Sequence, residues 1–226
     1  MTIQEMHYHV DQGLQKNASF VYNNFLPQEI DAFINKMILR FIKDRFDRTD
    51  QMELGFEAVQ KRLDDIRELI EPHQATFSGL TLGQNASAAL PGDYLFYIAG
   101  EVNAGWDDCK LKADLSKDHT VPVLIAPQDQ VRKMMIDPFR RTSERSALAT
   151  ITQRVLTVMG SKKFILKGVT FDYIRYPAKV DLSLNQSCDL ADHTHDEIVD
   201  LTVQHILEVI ASPRYQSNSA QANKTE

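Results

Sequence analysis

Residues 27–46 read PQEIDAFINKMILRFIKDRF. Pro27 suits the first position of a helix because its missing amide hydrogen would have no helical partner there, and Glu29 and Asp31 favour the positive end of the helix dipole. Apolar side chains then recur at spacings of three and four residues: Ile30, Phe33, Ile34, Met37, Ile38, Phe41, Ile42 and Phe46. The pattern predicts a long amphipathic helix that buries one continuous stripe.

The stretch that follows predicts a second helix packed against the first. Asp50, with Glu53 three residues later, has the spacing of a helix cap. Apolar residues then alternate between four- and three-residue steps as far as Ile70, which is typical of helices packed lengthwise, and Pro72 is expected to end the helix. Because the link between the two helices is short, residues 27–71 are predicted to form a helical hairpin.

One further helix is predicted at each end of the chain. Residues 2–15 place apolar side chains on a single helical face. Residues 195–211 form an amphipathic pattern announced by Thr194 and Glu197 in capping-box spacing. The final residues, 216–226, are polar and lack an apolar anchor, so we expect a flexible tail there.

Between these helices, residues 77–189 predict β structure, because apolar alternation there is punctuated by Gly, Pro and Asn. The candidate strands are 94–103, 121–125, 151–159, 164–166, 169–176 and 180–184, with a short helix over 127–136. The fold class expected is α+β. One domain, residues 1–215, would pack the N-terminal hairpin and the C-terminal helix with the β-rich centre.

Composition narrows the class of protein. A hydrophobic content of 43% is enough for a buried core, and a formal net charge of −6 argues against a surface that simply coats nucleic acid. We find no apolar run near the roughly 18 residues that cross a bilayer, and residues 1–10 do not have the pattern of a signal peptide. We therefore expect no membrane association and a protein that stays in the cytosol of its producing cell. Cys109 and Cys188 are expected to be free thiols.

Two histidines offer the strongest candidate for a metal site. His193 and His195, with Asp196 beside them, could supply the first ligands to zinc or iron in a metal-dependent hydrolase. Catalytic zinc needs three protein ligands, and no third ligand stands at a supporting spacing. Polar residues at the cap of the last helix explain the group better than a metal site does. His7 and His9 lie two apart on a predicted helix and should point to different faces.

Other candidates for chemistry are weaker. Asp107, Asp108, Asp114 and Asp118 lack the spacing of a calcium loop and are expected to form a solvated loop. Cys109 has no local signature of a nucleophile, and the glycines never cluster into a phosphate-binding loop. The sequence therefore predicts no enzyme: no catalytic residue, metal site or cofactor.

Two groups of residues are candidates for contacts with other molecules. The first group is basic and could touch DNA or an acidic partner, although short charge runs are usually solvated. Its members are Arg140, Arg141, Arg145, Lys162 and Lys163. The second group, Phe41 and Phe46, lies on the hairpin and is expected to pack against a neighbouring subunit.

Several segments together resemble the ring proteins of the head-to-tail connector in crAss-like phages of Bacteroidetes. In chain order, the segments are Val10–Lys16, Phe25–Asp31, Arg40–Phe46, Leu90–Tyr94, Asp137–Phe139, Tyr173–Pro177 and His195–Asp200. They span most of the chain. The likeness is greatest to the adaptor ring that docks under the portal.

The resemblance implies a structural virion protein of the neck or tail, made in the cytoplasm of the bacterial host. It implies a homo-oligomeric ring of about twelve copies, with heterologous contacts that close by rotation. The partners implied are the portal protein, the adjacent tail or ring proteins, and the genomic DNA that passes through the lumen. A tail-hub ring, a monomeric binding module and a metal-dependent hydrolase using His193 and His195 remain the alternatives.

Overall fold

The computed structural model describes residues 1–17, 25–46, 63–106 and 119–209. Its helices are α1 (Ile3–Asn17), α2 (Pro27–Phe46), α3 (Val131–Ile136) and α4 (His195–Val209), and residues 63–66 are also helical. Its strands are β1 (Ile70–Thr76), β2 (Ala86–Ala89), β3 (Tyr94–Trp106), β4 (His119–Ile125), β5 (Ala147–Thr152), β6 (Val155–Val158) and β7 (Phe164–Arg175). The predicted α+β class is confirmed. Within the described ranges, none of the helices is both long and apolar enough to span a membrane.

The chain divides into two compact units. The helical unit comprises Met1–Leu69 and Pro177–Glu226, and the sheet unit comprises Ile70–Tyr176. The prediction of one domain over 1–215 concerns how the units fold together, and it stays a prediction. The flexible tail predicted for 216–226 lies outside the described residues.

The helical unit is built from the apolar stripes of α1, α2 and α4. The stripe of α2 is buried from Ile30 to Ile42, and α4 contacts both α1 and α2. Helix α1 lies close to α4 at Gly13, where an added Cβ would lie 2.8 Å from a methyl carbon of Val203. A glycine at this position therefore lets the two helix backbones approach each other.

The sheet unit contains seven strands in the order β1-β7-β3-β4-β5-β6-β2. β4 and β5 are parallel, and every other neighbouring pair is antiparallel. A parallel pair needs a crossover connection, and α3 lies in the segment that connects β4 to β5. One apolar cluster contains residues from β2 through β7, so the sheet curves around a shared core.

Strand β5 fixes the position of α3, because this strand is buried on both faces. Ala147 and Ala149 face the main core, whereas Leu148 faces the other side and packs with Val131 of α3. Successive side chains of a strand point to opposite faces of a sheet, so α3 must cover the second face at this point. The segment after α3 is thereby held at the surface of the sheet unit.

The predicted helical hairpin over 27–71 is wrong at its end. Residues 63–66 are helical and a 3-10 turn follows over Arg67–Leu69, but Ile70 begins strand β1. Pro72, expected to stop a helix, lies within β1 and pairs with Asp172 of β7. Proline is tolerated there because β1 is an edge strand, where one side of the backbone needs no partner. The predicted cap at Asp50 and Glu53 lies outside the described residues.

Three other elements differ from the predictions. The strand predicted over 151–159 is a hairpin of β5 and β6, with Gln153 and Arg154 at positive φ in the two-residue turn. The strands predicted over 164–166 and 169–176 are the single strand β7. In place of the strand predicted over 180–184, residues 182–185 form a turn closed by a bridge between Asp181 and Gln186. The side chain of Asp181 accepts hydrogen bonds from the amides of Ser183 and Leu184 in this turn.

The turn after β6 gives a test of this packing. A Cβ added at Gly160 would overlap the carbonyl oxygen of Gln84, whereas one added at Gly92 would meet open space. We expect Gly160→Ala to reduce the free energy of unfolding by about 1–3 kcal/mol, and Gly92→Ala to change it by less than about 0.5 kcal/mol. Urea unfolding of both variants measures this difference. Equal stability of the two variants would contradict the packing described here.

Candidate functional site

The two histidines of the predicted metal site have separate structural partners. The side chain of His195 is buried, and its Nε2 atom donates a hydrogen bond to the carbonyl oxygen of Leu190 at 2.9 Å. His193 Nε2 lies 2.8 Å from a carboxylate oxygen of Asp65, and Asp196 is exposed on the first turn of α4. Among the described residues, no three His, Cys, Asp or Glu side chains form a group that could hold a metal ion.

Asp65 also belongs to a buried ionic group centred on Arg45. Arg45 Nε lies 3.0 Å from Asp65 Oδ2, and its terminal nitrogen donates to both carboxylate oxygens of Glu197 at 2.6 and 2.8 Å. The guanidinium carbon lies 4.8 Å from the centre of the Phe41 ring, within the range of a cation–π contact. This group joins α2, residues 63–66 and α4 within the helical unit.

Phe41 therefore has a different role from the one predicted. Its side chain is 2% exposed and forms part of the core beneath Arg45. A substitution such as Phe41→Asp would disrupt the fold of the subunit before it reported on contacts between subunits. Phe46, the last residue of α2, is half-buried, and its part in self-association stays a prediction.

The histidines of α1 do point to different faces. His9 is exposed, whereas the buried His7 places Nε2 2.8 Å from Asp31 Oδ1. The other carboxylate oxygen of Asp31 accepts a hydrogen bond from the amide of Leu182. The polar side chains on the inner faces of α1 and α2 therefore hold the segment that leads to α4.

The remaining candidate catalytic residues are the Asp group near Trp106 and the two cysteines. Asp107, Asp108, Cys109, Asp114 and Asp118 lie outside the described residues. Cys188 is half-buried, and burial raises the pKa of its thiol to about 11. The thiolate is the nucleophilic form, so this cysteine is protonated and weakly nucleophilic at neutral pH.

Of the predicted candidate sites, the basic group is the one whose residues are exposed and lie on one surface. Residues 131–163 carry eight Lys and Arg against two Asp and Glu, in a chain whose net charge is −6. The five predicted residues Arg140, Arg141, Arg145, Lys162 and Lys163 are all exposed. The Nζ atom of Lys163 lies 3.1 Å from a carboxylate oxygen of Glu144, which brings the 162–163 pair to the same surface as the arginines.

We call residues 137–146 the basic loop, and its first turn is built on Asp137. The Asp137 side chain accepts a hydrogen bond from the amide of Phe139 at 2.9 Å, and its carbonyl oxygen accepts from the amides of Arg140 and Arg141. These bonds fix the backbone around Phe139, whose side chain is 97% exposed. Ile136, at the end of α3, is 82% exposed. The turn therefore presents two apolar side chains among cations.

The rest of the basic loop is anchored to the sheet. Thr142 is buried, and its hydroxyl oxygen accepts a hydrogen bond from the amide of Leu148 in β5. The amide of Ser143 donates to the carbonyl oxygen of Ser146 at 2.8 Å. An open depression of about 250 Å³ lies beside the loop, lined by Asp129, Gln130, Lys133, Met134, Asp137 and Arg140. Its lining has two cations and two carboxylates, so its charge does not select an anion.

A polar cluster at one end of the sheet unit joins β1, β7 and the residue that precedes β3. The Tyr173 hydroxyl donates to Asp93 Oδ1 at 3.2 Å, and Arg175 Nε lies 3.0 Å from Glu71 Oε1. The amide of Tyr176 donates to the carbonyl oxygen of Asp93 at 2.6 Å. Burial, with the Asp93 carboxylate next in effect, raises the pKa of Tyr173 to about 12.

Neither a protein-family model nor a curated protein sequence matches this chain.

The Arg45 group predicts a large difference between two arginines of α2. Arg45→Ala would remove the guanidinium from the buried Asp65 carboxylate and leave it, among the described residues, only the contact with His193, and we expect a loss of about 3–5 kcal/mol in the free energy of unfolding. Arg40 forms an exposed pair with Asp44 one helical turn away, and Arg40→Ala should cost about 0.5 kcal/mol or less. Urea unfolding monitored by helical circular dichroism compares the two. Similar losses would contradict the structural role of Arg45.

The Tyr173 cluster predicts a loss of stability at high pH. The folded protein holds the tyrosine proton more tightly than the unfolded chain, whose tyrosine pKa is about 10. Tyr173 therefore contributes stability that is present below pH 10 and falls by on the order of 1–2 kcal/mol as pH rises to about 12. Urea unfolding of the wild type and of Tyr173→Phe at both ends of this range tests it. The lysines and other tyrosines are common to both proteins, so an equal decline in both would refute the assignment.

Proposed function

We propose that this chain is a structural virion protein that assembles with copies of itself into a ring of the phage head-to-tail connector. In this role it is the adaptor that joins the portal to the tail and encloses the path of the exiting DNA. The observation that best supports the proposal is the basic loop. Its backbone is fixed by hydrogen bonds, yet it presents Phe139 to solvent beside the exposed Ile136 at the end of α3.

An ordered surface of this composition suits assembly. Aromatic residues and arginine are enriched at the centres of protein interfaces, and a surface that is already ordered loses little entropy on binding. An exposed phenylalanine contributes nothing to the packing of its own subunit. The loop therefore has the chemistry of a contact site whose partner lies outside the chain.

The distribution of charge also suits a ring. The helical unit has 20 Asp and Glu against 12 Lys and Arg, a formal charge of −8, whereas the sheet unit has 11 against 13, a formal charge of +2. A ring subunit needs two different surfaces that complement each other, because its contacts are heterologous. Opposite net charges on the two units provide a physical basis for such a pair of surfaces.

The segments that carry the resemblance to connector ring proteins support a structural role. Arg40–Phe46 and His195–Asp200 contribute the two sides of the Arg45–Glu197 ion pair. Leu90–Tyr94 and Tyr173–Pro177 contribute Asp93 and Tyr173 to the cluster at the end of the sheet. Each pair of segments stabilises one unit, so the features behind the resemblance are features of packing.

A hydrolase centred on His193 and His195 fits the geometry less well. In the part of the chain that the structure describes, His193 and His195 are not part of any group of three His, Cys, Asp or Glu side chains that could hold a metal ion. Catalytic zinc needs three protein ligands. A tail-hub ring makes the same demands on a subunit as an adaptor ring, and binding to the portal distinguishes these two.

The test is assembly with and without the portal protein. We expect light scattering to report a monomer or an oligomer alone and a ring of about twelve copies with the portal, because the subunits of a ring match the symmetry of their support. Negative-stain electron microscopy would show the ring directly. Zinc analysis of the same preparation is the control for the hydrolase.

Three outcomes would go against this assignment. A ring that forms alone and ignores the portal would favour the tail hub over the adaptor. A chain that stays monomeric with and without the portal would refute the ring altogether. Stoichiometric zinc, together with hydrolysis that is lost in His193→Ala, would favour the enzyme.

A further inference from the structure

We infer that the basic loop of one copy docks on the outer face of helix α4 in a second copy, and that this contact repeats around the ring. The inference rests on the proposed function, because it identifies the two surfaces that join neighbouring subunits. One surface belongs to the sheet unit and the other to the helical unit, so the contact is heterologous and can close by rotation.

The composition of the loop favours a protein partner over DNA. Cations alone satisfy a phosphate backbone, which would leave the exposed Phe139 and Ile136 in water. A protein surface with both apolar and acidic groups satisfies both kinds of side chain. The turn built on Asp137 holds Phe139 outward before binding, so little conformational entropy is lost when the partner arrives.

Helix α4 offers a surface with the complementary charge. Its sequence HDEIVDLTVQHILEV contains four Asp and Glu and no Lys or Arg. Asp196, Asp200 and Glu208 are separated by multiples of four residues and are all exposed, so they form a row along one side of the helix. Val209, the last residue of the helix, is 58% exposed.

Two carboxylates of the row, Asp196 and Asp200, repel each other. Partial desolvation, and then the negative charge of Asp196, raise the pKa of Asp200 above its usual range. A like-charge pair at four-residue spacing destabilises a helix, and a cation brought by a partner would relieve it. The row spans about 18 Å at the helical rise of 1.5 Å per residue, long enough to meet several arginines of one loop.

Charge-swapped variants test the pairing of these two surfaces. The loop swap is Arg140→Glu with Arg141→Glu, and the row swap is Asp196→Lys with Asp200→Lys. Each variant alone brings like charges together at every contact and should lose ring assembly. Mixed in equal amounts, they restore opposite charges at every contact, and we expect alternating rings to form. Assembly is measured by light scattering and electron microscopy, with the portal protein present if the wild type requires it.

Single variants provide matched controls. Arg141→Glu should weaken assembly about tenfold or more, whereas Arg154→Glu, an exposed arginine in the turn between β5 and β6, should leave it unchanged. Phe139→Ser should also weaken assembly about tenfold without lowering the melting temperature, because its side chain makes no contribution to the core. Circular dichroism melts confirm that each variant is folded.

The outcomes separate this inference from the proposed function. A loop swap that assembles like the wild type overturns the inference, and if that variant also loses affinity for duplex DNA, the loop is a DNA surface. Two swaps that both fail alone and also fail when mixed show that α4 is not the counterpart. In these cases the ring itself stands. A wild type that stays monomeric with and without the portal overturns both.

Discussion

The Arg45 guanidinium joins three parts of the helical unit that are far apart in sequence. It lies against Asp65, which is 1% exposed, and against Glu197 at the start of α4. Burying a carboxylate is costly unless a cation and hydrogen bonds compensate it, so this arrangement admits few alternatives. Apolar stripes alone would allow the helices to slide or rotate against one another. The ionic group fixes which turn of α2 faces which turn of α4, and His193 adds a second contact to the same aspartate.

The elements that sequence predicted well are those in which local pattern and burial agree. The apolar stripes of α1, α2 and α4 become buried faces because every third or fourth residue points toward the same neighbours. Strand β1 was missed because Ile70 continues the helical spacing and Pro72 reads as a helix stop. Only pairing with β7, a hundred residues later in sequence, makes these residues a strand. Strand β2, Ala86–Ala89, has small residues with little β preference and depends in the same way on β6.

The candidate sites also differ in whether local sequence is enough to predict them. The basic group could be predicted because its residues lie close together in sequence and charged side chains seldom become buried. The roles of Phe41 and His195 could not be predicted, although their partners Arg45 and Leu190 lie only four and five residues away in sequence. The position of Arg45 over the ring depends on Asp65 and Glu197, which are distant in sequence. The exposure of Phe139 was also hidden, since an aromatic residue in sequence normally indicates a core position. The one available signal was the preceding Asp-Pro pair, which sets a turn and directs the next residue outward.

The separation of charge between the two units suggests how the basic loop could orient a second copy. Electrostatic attraction acts over a distance of about 8 Å at physiological ionic strength, so it orients approaching copies before any contact forms. Attraction between exposed charges contributes little to affinity once the surfaces meet. In the proposed contact, Phe139 and Ile136 would supply the affinity that exposed charges do not, because removing their apolar surface from water is favourable. A net charge of −6 meanwhile keeps randomly oriented copies apart. Under the proposed contact, association would be favoured only when the loop of one molecule meets an acidic surface of the next, which is the directionality that a closed ring requires.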